Sequence, residues 1–309
     1  MLNIKRKCVI AALIFIFLFL ILSTFQLQTD FFKFTHVFNC GQRNISTIEP
    51  YEVERIKKNL VLSYTIFGRD SAKKWGHLIG MVAEEAIKSN LYQNWTVRIY
   101  HDKSLSKEYI KSYTSKFDNL KFYDVTATSL YGDITSINGR VWRFLPLADD
   151  TVDIVCFRDL DSPIIKREED AVKKWLESGH IMHVMRDHYW HTTEVLAGLW
   201  GFRSALDRTL AKKIVNMVLI NAEKRSGNHE ATKLNDQAVL ARYIWPLVKP
   251  KSLQHDSYLC TRYDGTVPFP TKRYDDFLFV GCIRPCNVTE RKPCDIKCRP
   301  KNHTDWTYC

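Results

Sequence analysis

Two aspartates, Asp159 and Asp161, follow directly on the apolar run Ile154–Phe157 and are separated by one residue. Carboxylates held this close at the end of a buried strand repel each other, and the cost rises in a partly dry cleft unless a cation or a proton compensates them. Mg²⁺ and Mn²⁺ do so through oxygen ligands and commonly keep coordination positions open for substrate phosphates. The pair therefore predicts a metal–diphosphate site, with two solvated loop carboxylates as the alternative.

Strand-like and helix-like segments alternate along the chain on both sides of this pair. The strand candidates are residues 60–67, 95–100, 120–125, 152–157 and 180–185, and the helix candidates are residues 78–86, 105–115, 140–147, 167–177, 206–217 and 239–244. Such alternation predicts an α/β fold with a largely parallel sheet built by right-handed crossovers. Ligands bind such sheets at the carboxyl ends of the strands, which is where Asp159 and Asp161 fall.

Over residues 59–280 the order of elements and several short motifs resemble those of the GT-A glycosyltransferases, which use nucleotide-diphosphate sugars as donors. The matching motifs are Asp159-Leu160-Asp161, Ala197-Gly198-Leu199-Trp200-Gly201, Asn235-Asp236-Gln237 and Leu253-Gln254-His255-Asp256-Ser257. The resemblance implies a GT-A-like, Rossmann-type, mostly parallel sheet flanked by helices, forming a catalytic domain over these residues. It implies Mn²⁺ or Mg²⁺ bound by Asp159, Asp161 and His255, and a nucleotide-sugar donor that Gly198 approaches.

Four further residues are candidates for roles at the same site. Asp236 is expected to orient acceptor or sugar hydroxyls and Glu194 to act as the acceptor base; the alternatives are helix capping by Asp236 and capping of its own segment by Glu194. Arg140 and Arg143 stand one helical turn apart and would face the diphosphate, or else be solvated cations on a helix surface.

The histidine-rich run from His180 to His191 is a weaker signal. It lacks the one-turn helical spacing of a zinc metalloprotease, and a strand would place His183 and His188 on opposite faces. The run is interpreted as a strand leading into an acceptor-side loop, with Asp187 and His188 as binding residues.

The amino terminus predicts a membrane anchor. Three cations at residues 5–7 precede an apolar stretch, residues 8–25, that as a helix just spans a thin bilayer with its amino terminus in the cytoplasm. Residues 1–7 are then a cytoplasmic tail and residues 26–58 a lumenal stem; a cleaved signal peptide is the alternative. Four Asn-x-Ser/Thr sites beyond the anchor, together with the usual build of Golgi GT-A enzymes, agree with a single-pass type II protein of the Golgi membrane.

The nine cysteines fit the same compartment. Cys8 lies in the predicted anchor and eight follow it, five of them in the tail over residues 281–309. Disulfides are favoured over a zinc site in this tail because the compartment is oxidising and the spacing is unlike that of zinc ribbons. Cys156 is expected to be a buried free thiol. Seven cysteines remain, so one is unpaired or joins a second subunit in a disulfide-linked oligomer.

Charge and motifs together narrow the function. The formal charge of +11 attracts acidic glycans, anionic lipid, phosphorylated small molecules or nucleic acid, and a lumenal location excludes most nucleic acid. The expected activity is a metal-dependent transfer of a hexosyl or similar group from a nucleotide-diphosphate donor to a glycan, protein or lipid acceptor in the secretory pathway. The alternatives are a phosphatase of the haloacid-dehalogenase type, with Asp159 as nucleophile, and a non-catalytic, disulfide-rich, membrane-anchored binding protein.

Overall fold

The computed structural model describes residues 58–222, 235–288 and 290–309. The predicted cytoplasmic tail and anchor lie outside the described residues, as does the stem except for residue 58. Within the described part of the chain, no helix has the length and apolar character needed to cross a bilayer.

One sheet organises the described residues. Its strands are β1 (Leu60–Ile66), β2 (Thr96–His101), β3 (Leu120–Asp124), β4 (Ile154–Phe157), β5 (Met182–Arg186), β6 (Trp200–Phe202), β7 (Ser252–Asp256) and β8 (Thr266–Val267). They lie in the order β3-β2-β1-β4-β6-β5-β7-β8, and neighbouring strands are parallel except that β6 runs antiparallel to both β4 and β5. The largely parallel α/β sheet predicted from the sequence is confirmed, with one reversal at β6.

Helices cover both faces of this sheet. They are α1 (Arg69–Trp75), α2 (Leu78–Lys88), α3 (Lys107–Thr114), a 3₁₀ helix (Gly139–Ala148), α4 (Lys166–Glu177), α5 (Arg208–Asn221), α6 (Asp236–Val239) and α7 (Trp245–Val248), with a π-helical turn (Leu240–Ile244) joining the last two. Side chains of β4 alternate between two apolar clusters: Val155 and Phe157 join the cluster of the 3₁₀ helix, and Cys156 joins that of α2 and α4. Both faces of β4 are therefore buried, which explains its uninterrupted apolar sequence.

The small residues before and within β6 are required by packing. A Cβ atom on Gly201 would lie 2.9 Å from the Trp175 ring and 3.1 Å from the Cys156 sulfur. Only glycine lets β6 sit between β4 and α4 at this point.

Strand β7, which carries His255, was not among the strands predicted from the sequence. Its sequence, Ser-Leu-Gln-His-Asp, has little of the apolar pattern of a buried strand, yet it pairs in parallel with β5. The polar side chains satisfy one another instead: Arg186 of β5 donates to Asp256 at 2.5 Å and to Gln254 at 2.9 Å. Hydropathy patterns do not detect a strand whose buried groups are paired in this way.

One disulfide joins the cysteine-rich tail to the rest of the fold, and two more lie within the tail. The bonds are Cys260–Cys298, Cys282–Cys286 and Cys294–Cys309, and all five tail cysteines take part. Cys156 is a buried free thiol, as expected. Cys40, the remaining cysteine beyond the predicted anchor, lies outside the described residues, so a disulfide-linked oligomer stays a prediction.

Candidate active site

A cleft of about 610 Å³ opens at the carboxyl ends of β1 and β4. Because β6 is antiparallel, the segment that enters it begins at this same edge of the sheet. The lining residues are Thr65, Ile66, Phe67, Ser71, Trp75, Arg140, Arg143, Asp159, Leu160, Asp161, His191, Leu196, Ala197, Gly198, Leu199, Asp236, Gln237 and Gly281. Of the eight residues that the sequence assigned to the metal, donor and catalytic site, six line the cleft: Asp159, Asp161, Arg140, Arg143, Gly198 and Asp236.

Arg143 forms ion pairs with two carboxylates of the cleft. Its guanidinium forms an ion pair with Asp159 and a second, at 2.8 Å, with Asp236. The Arg143 side chain is 4 % exposed and that of Asp236 is 8 % exposed, whereas that of Asp159 is 50 % exposed to the cleft. Arg143 therefore fixes a buried carboxylate and an accessible one at a set separation, instead of presenting its charge freely to a ligand.

Of the two aspartates Asp159 and Asp161, Asp161 is the one whose negative charge is disfavoured by its surroundings. Burial raises the pKa of Asp161, and the charge of Asp159 raises it further, while its own backbone N–H and the cations Arg143 and Arg284 lower it. A carboxylate in this state favours a bound proton or a cation that relieves both effects. Its backbone carbonyl is held by the backbone N–H of Arg284 at 2.9 Å.

Arg158, the residue after β4, forms buried hydrogen bonds at the end of this strand. Its guanidinium donates to the carbonyls of Phe157 at 2.7 Å and Trp200 at 3.0 Å, and it pairs with Glu168 at 2.7 Å. Arg158 and Glu168 are both almost fully buried. The Arg158 guanidinium therefore joins the end of β4 to the start of β6, and its ion pair with Glu168 holds it in place.

Gly198 meets the carboxylate of Asp159 at the cleft wall. A Cβ atom at position 198 would stand 2.1 Å from Asp159 Oδ2 and 3.1 Å from its backbone nitrogen. The absence of a side chain at Gly198 is what leaves room for Asp159 in its present position.

Asp236 begins helix α6 and does not cap it. The cap is Asn235, whose side chain accepts from the backbone N–H of Ala238 at 2.8 Å. Both oxygens of Asp236 have partners, since Oδ1 accepts from the Gln237 backbone N–H at 3.0 Å and Oδ2 accepts from Arg143. Asp236 is therefore held in a fixed orientation at the cleft.

His191 was missed as a cleft residue by sequence reasoning. Its Nδ1 accepts from the backbone N–H of Asp187 at 3.1 Å, so the ring proton of the neutral form is on Nε2. Burial lowers the pKa of His191 to about 4, so the ring is neutral near pH 7. His191 therefore offers the cleft an uncharged N–H donor, a role that the histidine spacing alone did not indicate.

His255 is not brought to the aspartate pair. It lies on the buried strand β7, is 1 % exposed, and its Nδ1 is 2.7 Å from Nε2 of His183. Burial lowers the pKa of His255 to about 3. Across the described ranges, no three His, Cys, Asp or Glu side chains are grouped to hold a metal ion. The expectation that His255 completes a metal site with Asp159 and Asp161 is therefore wrong: the residue is a neutral part of the core.

Glu194, Asp187 and His188 also lie outside the lining of the cleft. The Glu194 backbone carbonyl accepts from the guanidinium of Arg186, and its side chain is half-buried. Asp187 is fully buried and accepts from two arginine side chains, so it has a structural role. His188 stacks on Phe279 with ring centroids 4.2 Å apart.

Comparison with known proteins gives structural similarity only. No family model and no curated protein matches the chain. The structure is similar to a galactosyltransferase, LgtC, in complex with donor and acceptor sugar analogs (11 % identity, 67 % of this chain and 80 % of that chain, TM-score 0.44). It is similar to mouse xyloside xylosyltransferase 1 in its apo form (10 %, 65 % and 85 %, TM-score 0.37).

A third similar structure is the mannosyltransferase PcManGT from Pyrobaculum calidifontis in complex with GDP-Man and Mn²⁺ (13 % identity, 47 % of this chain and 44 % of that chain, TM-score 0.33). All three are glycosyltransferases by name. Identities and TM-scores this low leave the functional argument to the residues of the cleft.

Proposed function

We propose that this protein is a metal-dependent glycosyltransferase that uses a nucleotide-diphosphate sugar as donor. The observation that carries the proposal is the placement of Asp159 and Asp161 in one cleft at the carboxyl ends of β1 and β4. A pair of carboxylates at this edge of an α/β sheet suits a ligand that brings a divalent cation and a diphosphate.

The chemistry of the donor set fits Mn²⁺ or Mg²⁺. Asp159 offers an accessible carboxylate, and Asp161 is a carboxylate whose charge is disfavoured until a cation compensates it. Asp159 and Asp161 would hold such an ion through carboxylate oxygens, the ligand type that Mg²⁺ and Mn²⁺ prefer. A metal held there would supply charge neutralisation for the nucleotide diphosphate as it leaves.

The protein's own residues provide positioning around that centre. Phe67 and Trp75 line the cleft beyond β1 as half-buried aromatic surfaces on which a base can stack. Arg140, one 3₁₀ turn before Arg143 and exposed at the cleft, faces the place expected for the diphosphate. His191 supplies a neutral N–H donor for a sugar or acceptor hydroxyl.

The state of the carboxylates bears on stereochemistry. The carboxylates among the described lining residues are Asp159, Asp161 and Asp236, of which the first two are assigned to the metal. Asp236 is already engaged, by Arg143 through one oxygen and by the Gln237 backbone N–H through the other. A cleft without an unpaired carboxylate base suits a transferase that retains the anomeric configuration.

The acceptor and compartment are proposed from the sequence. The cations at residues 5–7, the apolar stretch 8–25 and the glycosylation sites support a type II protein of the Golgi membrane with its catalytic domain in the lumen. The disulfides in the tail support an oxidising compartment. A glycan, protein or lipid of the secretory pathway is the expected acceptor.

Calorimetric titration of the full chain with a panel of nucleoside diphosphates, with and without Mn²⁺, tests this function. We expect one nucleotide to bind in a metal-dependent manner, and binding to be lost in Asp161→Ala. Incubation with the sugar nucleotides that carry this base would then identify the donor by its hydrolysis or transfer. A folded wild-type protein that binds none of the nucleotides would rule the proposal out.

A further inference from the structure

A five-residue loop of the tail, Cys282 to Cys286, is closed by a disulfide and lies against the turn that carries Asp161. This turn, residues 159–162, is closed by the Ser162 backbone N–H donating to the Asp159 carbonyl at 3.1 Å. Two hydrogen bonds join the turn and the disulfide loop. The backbone N–H of Arg284 donates to the Asp161 carbonyl at 2.9 Å, and the Ser162 hydroxyl donates to the Cys282 carbonyl at 3.1 Å.

A shared carboxylate on helix α2 fixes the same two segments. Glu85 Oε2 accepts from the Arg284 guanidinium at 2.6 Å and from the backbone N–H of Ile164 at 3.1 Å. Ile164 lies two residues beyond the turn. Because the Arg284 and Glu85 side chains are 15 % and 26 % exposed, the ion pair is partly shielded from solvent. Glu85 therefore anchors both the disulfide loop and the segment after the turn to helix α2.

The residue before the loop reaches the opposite wall of the cleft. Gly281 lines the cleft and has a φ of 86°, and a Cβ atom on it would stand 2.7 Å from Cδ1 of Leu199. Leu199 follows Gly198 in the segment that enters β6. Gly281 therefore lies against the segment that enters β6, while the loop that follows it is bonded to the Asp161 turn.

We propose that the disulfide loop, residues 282–286, is a positioning element of the donor site that holds Asp161 where a divalent metal binds. The proposal rests on the function proposed above and extends the site into the cysteine-rich tail. The tail is then part of the active site, and Arg284 is a positioning residue that acts through the Asp161 backbone and through Glu85. Supporting residues that orient a metal ligand typically change metal affinity about 10- to 100-fold when they are removed.

Two disulfide variants of the full chain separate positioning from stability. Cys282→Ser/Cys286→Ser opens the loop at the turn, and Cys294→Ser/Cys309→Ser opens another disulfide of the same tail. The control bond closes the longer span, with a sequence separation of 15 against 4, so its loss removes more of the constraint on the unfolded chain. A purely stabilising role predicts that the control has the lower Tm and that folded molecules of both variants bind Mn²⁺ like wild type.

If the loop positions Asp161, Mn²⁺ binding should be weakened in the variant without the Cys282–Cys286 disulfide and unchanged in the control variant. Titration of Mn²⁺, with the free ion followed by electron paramagnetic resonance, is expected to give a Kd at least about 10-fold higher in Cys282→Ser/Cys286→Ser than in wild type, and an unchanged Kd in the control. Equal Kd values in wild type and both variants would overturn the proposal while leaving the transferase function in place. A wild-type protein that fails to bind Mn²⁺ would instead count against the metal site itself.

If the protein without the Cys282–Cys286 disulfide does not fold, a second pair of variants tests the proposal. Arg284→Gln and Glu85→Gln each keep the disulfide and remove one half of the anchoring ion pair. Each is expected to weaken Mn²⁺ binding, and the double variant should weaken it by less than the product of the two single effects, because both act through one contact. Wild-type affinity in both single variants would overturn the proposal.

Discussion

Gly198 and Asp159 lie so close that any side chain at position 198 would displace the carboxylate, since a Cβ atom there would be 2.1 Å from Asp159 Oδ2. We expect Gly198→Ala to fold but to bind the metal–nucleotide complex at least about 10-fold more weakly, because the accessible metal ligand is moved. Calorimetry measures the loss. Gly179→Ala is the matched control, since a Cβ atom at position 179 meets nothing within 4 Å, and it should bind normally. Equal affinities in the two variants would contradict the role given to Gly198.

Arg143 is expected to stabilise the cleft as well as shape it. In Arg143→Met the Asp236 carboxylate, 8 % exposed, is left without its cation, which we expect to lower the free energy of unfolding by about 3–5 kcal/mol. Adding Asp236→Asn to the same chain should restore part of this loss, because the uncompensated charge is removed. Urea denaturation of both single variants and the double variant measures the coupling. Strictly additive effects would show that the ion pair is not the cause.

Asp161 is expected to lower the stability of the metal-free protein while being required for metal-dependent nucleotide binding. Its pKa in the folded protein is raised by burial and then by Asp159, so its charge disfavours folding at neutral pH. Asp161→Asn should therefore raise the Tm of the metal-free protein at pH 7 and abolish metal-dependent nucleotide binding. The gain in Tm should disappear as the pH falls through the folded pKa of Asp161, because the wild-type carboxylate then becomes neutral itself. A lower Tm at pH 7 in a variant that retains the fold would refute this account.

Three buried histidines make stability depend on pH. Burial lowers the pKa values of His183, His191 and His255 in the folded protein, so only the unfolded chain takes up their protons below about pH 6.5. The free energy of unfolding should fall with decreasing pH by up to about 1.4 kcal/mol per pH unit for each of them.

Urea denaturation between pH 7 and 5 measures this dependence. His191→Asn, whose side-chain oxygen can accept from the Asp187 N–H in place of Nδ1, should reduce the slope by about one proton. A slope identical to that of wild type would mean that His191 is charged in the folded state.

The sequence was sufficient for the part of the site that depends on regular structure. An apolar strand followed by Asp159 and Asp161 places both carboxylates at one edge of the sheet whatever the details of packing. Gly198 and Asp236 were reached through the resemblance to a family, and the structure brings both to the cleft.

The remaining features depend on contacts between distant residues. His255 lies in the core, where it contacts His183, and not at the aspartate pair. The two histidines are 72 positions apart in the sequence, so no local pattern predicts this contact. His191 becomes a cleft residue only through the fold of the loop after β5, which hydropathy does not encode. The contact of Arg284 with the Asp161 turn joins the tail to the middle of the chain, and no local pattern marks it.

Cys156 has a consequence for the order of synthesis. The six cysteines paired in the structure all follow residue 259, so the ribosome releases the Cys156 thiol well before any of these six. At about 5–20 residues per second the interval before Cys260 is of the order of 5–20 s, long enough for β4 to pair with β1. Once buried, the thiol has its pKa raised to about 12 and carries almost no thiolate. Early closure of the sheet therefore removes the unpaired sulfur from disulfide exchange before the tail cysteines choose their partners.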